Sequence, residues 1–116
     1  MTEQELEIMK LVWERESTTV REIYEALLSS RKVAYTTVMT MMKILEKKKY
    51  LTRALVDRAY VYRPAQPKSH VIGGMVREFV NRVFDGSAEP LLVHLVEEHR
   101  LSGKDLKDIA ELRRKS

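Results

Sequence analysis

At 116 residues the chain is the size of one domain, or of one domain with an appended helical arm. No apolar run approaches the roughly 20 residues that a bilayer-spanning helix needs, so direct membrane insertion is not expected. Cysteine is absent, which excludes disulfides, thiolate metal ligands and a cysteine nucleophile.

The start, "MTEQELEIMK", is acidic and amphipathic, with neither the basic opening nor the apolar core of a signal peptide. Together with the lack of cysteine it suits a cytoplasmic protein. The net charge of +4 is unevenly spread. Residues 1–30 carry three Lys/Arg against seven glutamates, a surplus of −4. Residues 31–63 carry nine Lys/Arg against only Glu46 and Asp57, a surplus of +7. A basic block behind an acidic one suggests an edge that meets a polyanion, with an ordinary solvated face as the alternative.

In chain order, Thr2 and Glu5 form a capping box. Leu6, Met9, Val12 and Trp13 then recur at helical spacing, giving an amphipathic helix over 3–15. "ESTT" breaks it. Thr19 and Glu22 form a second capping box, opening a short helix on which Val20, Ile23 and Leu27 face inward. A third helix runs from Ala34 or Tyr35 to Lys48, with Val38, Met41, Met42 and Leu45 inward. The period then changes. "YLTRALVDRAYVYRP" predicts strands at about 51–54 and 59–63 around a hairpin tip at 55–58, closed by a linker that starts at Pro64 and Pro67. Val71, Ile72, Met75, Val76, Phe79, Val80, Val83 and Phe84 form a broad apolar band on a helix over 69–84, closed by Asp85-Gly86. Pro90 suits the first turn of a helix over 88–100 that carries Leu91, Leu92, Leu95 and Val96. Ser102 and Asp105 make a third capping box, with Leu101 and Leu106 placed as a hydrophobic staple. Leu106, Ile109 and Leu112 stripe the last helix, over 102–114.

Helix, helix, basic helix and two-stranded hairpin is the order of a winged helix-turn-helix, mainly α with a small β wing. In that design the third helix enters the major groove of DNA and the hairpin reaches the neighbouring backbone or minor groove. Tyr35, Thr36, Thr37, Met39, Thr40 and Lys43 would then face base edges and phosphates. Threonine offers a hydroxyl to bases or phosphates and a methyl to thymine. Lys43 and Lys47 would neutralise phosphates, and Arg53 and Arg58 would put charge on the wing. Each has a plainer reading. Thr36 or Thr37 could cap the helix, Lys47 to Lys49 could be a solvated helix end, and Tyr60 and Tyr62 could pack the wing on the body. The band over 69–84 is too apolar for a lone surface arm, which predicts burial by a second copy of the chain. The alternative is that the two helices after it fold back and cover it.

These residues also carry a family likeness. "AYTTVMTMMKILEKKKYLTR" followed by "DRAYVYRP", with "LEIMKLVW" before them and "LLVHLVEEHRLSGKDLKDIAELR" after, resembles the BlaI/MecI penicillinase-repressor family over nearly the whole chain. The resemblance implies a homodimeric repressor on inverted-repeat operators, with a winged helix at 1–66 and a helical dimerisation region at 67–116. It places DNA-facing residues on Thr36, Thr37, Met39 and Thr40, with Lys43 one turn on. The apolar band over 69–84 and the stripes of the two helices after it would supply the dimer contacts, from Ile72, Met75, Val76, Phe79, Val83, Leu91, Leu95, Leu106 and Ile109. In the antibiotic-responsive members a membrane sensor-protease leads to cleavage in the C-terminal segment and loss of the dimer. Where the staphylococcal repressors place the cleaved Asn–Phe pair, this chain reads His94-Leu95, which puts that route of induction in doubt. Copper-responsive relatives end in a Cys-rich metal site, which this chain lacks.

No enzyme is expected: there is no serine in a glycine elbow and no glycine-rich phosphate loop. No cofactor is expected either, and His94 with Glu98 at i, i+4 is a weak metal pair. The main rival is a winged-helix protein-interaction module that does not touch DNA, and a second is an RNA-binding winged helix. The basic block beside threonines at a helix start favours duplex DNA over docking.

Overall fold

A computed structural model describes the backbone of residues 1–115 and the side chains of residues 1–112. The order is α1 (Glu3–Arg15), α2 (Val20–Leu28), α3 (Tyr35–Lys47), β1 (Leu51–Val56), β2 (Ala59–Pro64), α4 (Lys68–Phe84), α5 (Glu89–His99) and α6 (Gly103–Lys115). Two compact units emerge, Met1–Val71 and Ile72–Ser116. The division falls inside α4, so its first turn, with Val71 buried, belongs to the first unit. Among the described residues, no helix is long and apolar enough to cross a membrane.

Local chemistry sets where the first helices begin and end. The Thr2 hydroxyl accepts from the Glu5 amide at 3.1 Å, and Glu5 Oε1 accepts from the Thr2 amide at 2.9 Å, closing the expected capping box. Glu16, at φ 66°, ends α1 in the left-handed region. At α2 the Thr19 hydroxyl accepts from the Glu22 amide at 3.2 Å. The return bond of a full box is replaced there: the Thr19 hydroxyl itself donates to Glu22 Oε1, also at 3.2 Å.

Glu5 does more than cap. It is 4% exposed, and its Oε2 accepts from Lys48 Nζ at 2.9 Å, tying α1 to the end of α3. The Thr2 backbone amide, helped by Lys48 and the Thr2 hydroxyl, outweighs burial and holds the carboxyl at about 2 instead of 4.5. A carboxyl lowered on folding stabilises the fold above its unfolded value and loses that contribution as pH falls towards its folded value. Unfolding should therefore become easier between pH 4.5 and about 2, by about 3 kcal/mol from this group. Denaturant titrations across that range should show the loss, and Glu5→Gln should remove most of it.

Ile8, Met9, Val12, Ile23, Leu27, Val38, Met42, Leu45, Leu51 and Tyr62 make the core, each at most 2% exposed. Leu6, Trp13, Val20 and Met41, expected inside, are only half-buried, and Ile8 takes an inner place instead. The inner face of α1 is set by its packing against α2, α3 and β2 together, which a single helical stripe does not encode.

The wing is longer than expected. Leu51 pairs with Pro64 and Val56 with Ala59, so the tip shrinks from 55–58 to Asp57 and Arg58. Both have positive φ, 48° and 70°, as a two-residue turn matched to strand twist requires. Asp-Arg is not the usual Asn-Gly signal for such a turn, and the exposed Leu55 and Val56 break the alternation, so the turn was masked. A second, shorter pairing is not announced in the sequence. Thr18, inside the "ESTT" break, donates to the Tyr62 carbonyl at 3.0 Å and accepts from the Tyr62 amide at 2.7 Å. This bridge fastens β2 to the body. The segment after the wing is tied back too, with Ala65 N donating to Tyr50 O at 2.9 Å and Gln66 Nε2 to Lys49 O at 3.0 Å.

In the second unit, Asp85 and Gly86 close α4 at positive φ, with the Gly86 amide donating to the Val80 carbonyl at 3.1 Å. The Ser102–Asp105 capping box forms at 2.8 and 3.1 Å. Helix α5 spans Glu89–His99, one residue shorter at each end than expected, because Arg100 adopts the left-handed conformation. Phe84 lies edge-on to Phe79 at 5.8 Å and is tilted by 43° to the His94 ring at 6.0 Å.

Candidate nucleic-acid interface

Burial of Val38, Met42 and Leu45 fixes the rotation of α3. The opposite face then carries Thr36, Thr37, Thr40, Lys43 and Lys47, all exposed. Met39 is half-buried between the two faces, and Tyr35 is 41% exposed with its ring edge-on to Tyr24 at 5.4 Å. The N-cap is Ala34, and no side-chain hydrogen bond caps the helix. Thr36 and Thr37 are therefore not caps, and the Thr37 amide is instead taken by the Ala34 carbonyl at 3.1 Å.

The wing closes one side of this face. Tyr35, Met39 and Lys43 of α3, Thr19, Val20 and Arg21 at the start of α2, and Arg53, Ala59, Tyr60 and Tyr62 of the wing line a groove of about 520 Å³. Its α2 contribution is not evident from the sequence, where Thr19 reads as a helix cap and Val20 as an inward-facing residue. The two tyrosines divide between roles. Tyr62 is 1% exposed and serves packing, whereas Tyr60, 47% exposed, opens onto the groove.

The basic block is less free than its count suggests. Arg31 pairs with Glu7 at 2.7 Å, Lys48 with Glu5 at 2.9 Å and Arg53 with Glu46 at 3.1 Å. Lys48, placed with Lys47 and Lys49 at a solvated helix end, is held by Glu5 while its side chain stays 48% exposed. Among the described residues, Lys32, Lys43, Lys47, Lys49, Arg58 and Arg63 enter no ion pair, and all are exposed. Arg58 stands at the wing tip with φ 70°. The surface is therefore a helix face of hydroxyls and lysines beside a cationic wing, with an aromatic groove between them. Such a face offers bidentate and single hydrogen-bond donors, methyls and phosphate-neutralising charge together.

In the second unit, Ile72, Met75, Leu91, Leu95 and Leu106 are half-buried. Val76, Phe79, Val83 and Ile109 are 39–54% exposed. Helices α5 and α6 thus leave much of the α4 band open within a single chain. His94 is exposed on α5 and Leu95 half-buried beside it.

Comparison with known proteins agrees with this architecture. The family profile described as penicillinase repressor matches residues 1–115. The transcriptional regulator BlaI of Mycobacterium tuberculosis (strain CDC 1551 / Oshkosh) is 38% identical over 92 residues, covering 78% of this chain and 67% of that protein. The penicillinase repressor of Bacillus licheniformis is 27% identical over 112 residues, covering 97% of this chain and 88% of that one. Among solved structures, the monomeric form of Bacillus licheniformis BlaI in complex with the blaP half-operator is similar, with a TM-score of 0.53 and 30% identity. That match covers 60% of this chain and 84% of the solved one.

Proposed function

The chain belongs to the penicillinase repressor family, and on that premise we propose that it is a cytoplasmic transcriptional repressor that binds inverted-repeat DNA as a homodimer. The family is one of transcriptional repressors, not of enzymes. One observation carries the DNA-binding assignment. The face of α3 opposite Val38, Met42 and Leu45 presents Thr36, Thr37, Thr40, Lys43 and Lys47 to solvent, on a chain similar to a protein solved on a half-operator. Met39 and Tyr35 complete the base-reading set, and Arg58 supplies charge from the wing.

Dimerisation is supported by the open apolar face of α4, where Val76, Phe79 and Val83 recur at i, i+3 and i+7. With the second unit joining two copies, each winged helix would take one half-site about one turn of DNA from the other. The release signal would act on this second unit. Cleavage at His94-Leu95 by a sensor-protease pathway is one route, and the exposed position of His94 on α5 is compatible with it.

Selection of bound duplexes from a random pool tests the assignment. The expected product is an inverted repeat with half-sites about one helical turn apart. Recovery of no preferred sequence, or preferential retention of RNA, would remove the operator-binding reading.

A further inference from the structure

Near the end of α3, on the half-buried flank it shares with Met39, the basic block carries a glutamate, Glu46. Its partner explains it. Arg53 stands opposite Tyr62 in the hairpin, so its side chain shares the hairpin face on which Leu51 and Tyr62 enter the core. Arg53 Nε lies 3.1 Å from Glu46 Oε2, with the two side chains only 32% and 30% exposed. The Arg53 guanidinium carbon also lies 4.1 Å from the centre of the Tyr60 ring. One guanidinium thus joins α3, β1 and β2 through a carboxylate at its edge and an aromatic ring on its face.

We propose that Glu46 and Arg53 are positioning residues that brace the wing against α3 and hold the Tyr60 ring at the mouth of the groove. Arg53 is then not a phosphate contact, although its charge and its place on the wing suggested one. The Arg53 Nε is taken by Glu46, the guanidinium face is taken by the Tyr60 ring, and the neighbouring carboxylate offsets the local positive charge. The inference rests on the DNA-binding reading for its consequence, but the brace itself exists in the free protein.

The two roles predict opposite signs. If Glu46 only adds negative charge to a DNA-facing surface, Glu46→Gln should tighten binding. If it positions the wing, Glu46→Gln should loosen the hairpin and weaken binding about threefold to tenfold, the range of a partly shielded ion pair with a stacked cation. The slope of affinity against salt should not change, because no phosphate contact is lost. Arg53→Lys keeps the charge but loses the planar stack and the fork, so it should weaken binding as much as Glu46→Gln.

The experiment uses the full chain, titrated by fluorescence anisotropy onto a selected duplex at several salt concentrations. Amide hydrogen exchange of residues 52–63 is followed in the free protein. Faster hairpin exchange in both variants, with unchanged exchange in α1, supports the brace. Unchanged hairpin exchange in Glu46→Gln overturns it, whatever happens on DNA. The positioning role is also overturned if Glu46→Gln binds as well as wild type or better. Arg53→Lys matching wild type while Arg53→Ala lowers the salt slope by about two units per dimer would make Arg53 a phosphate contact instead. Failure of the wild-type chain to bind any duplex removes the DNA reading alone, since the exchange measurement needs no DNA.

Discussion

Raising salt from 50 to 200 mM should weaken duplex binding by about 10³–10⁵ if a dimer neutralises roughly six to ten phosphates. The cations available for this are Lys32, Lys43, Lys47, Lys49, Arg58 and Arg63, which enter no ion pair among the described residues. Lys43→Ala should flatten the salt dependence by about two phosphate contacts per dimer, close to two units of slope. Lys48→Ala serves as the internal control. Lys48 is held by Glu5 at 2.9 Å, so its loss should lower stability and leave the slope unchanged. Anisotropy titrations over the salt range measure all three. An affinity indifferent to salt would point to a protein-docking module.

Phe79→Asp should break the dimer. In the single chain Phe79 is 39% exposed and touches Phe84 edge-on at 5.8 Å, so a monomer tolerates the carboxylate. Burying that charge against a second copy costs several kcal/mol, enough to shift association by orders of magnitude. Sedimentation should find wild-type dimers at micromolar concentration and Phe79→Asp monomers. A chain ending at His94 should behave likewise, since it lacks Leu95, Leu106 and Ile109 along with the whole of α6. Such a monomer keeps its winged helix and should fall back to the weak binding of one half-site. A chain ending at His94 that dimerises and binds like the full chain would move the release point elsewhere, with a small ligand at the dimer interface as the better candidate.

The order of elements was legible because each is announced locally. Thr2 with Glu5 and Ser102 with Asp105 form their boxes as read, and the inner stripe of α3 needs only Val38, Met42 and Leu45 to be recognised. What escaped depends on distant partners. Thr18 looks like part of a helix break until Tyr62 of β2 returns to pair with it, 44 positions away. Nothing near Lys48 in the sequence names Glu5 as its partner, and nothing near Arg53 separates a brace from a DNA contact. The charge count of residues 31–63 could not show that three of its nine cations are already paired. The face was readable; the allocation of its charges was not.

The most direct test is a titration of the full chain onto a selected inverted repeat, onto one isolated half-site and onto a scrambled duplex, with stoichiometry read at saturation. Two protomers should bind the inverted repeat, with affinity far above that for the half-site and higher again than for the scrambled sequence. One protomer on the inverted repeat, at the same affinity as on scrambled DNA, would contradict homodimeric operator binding.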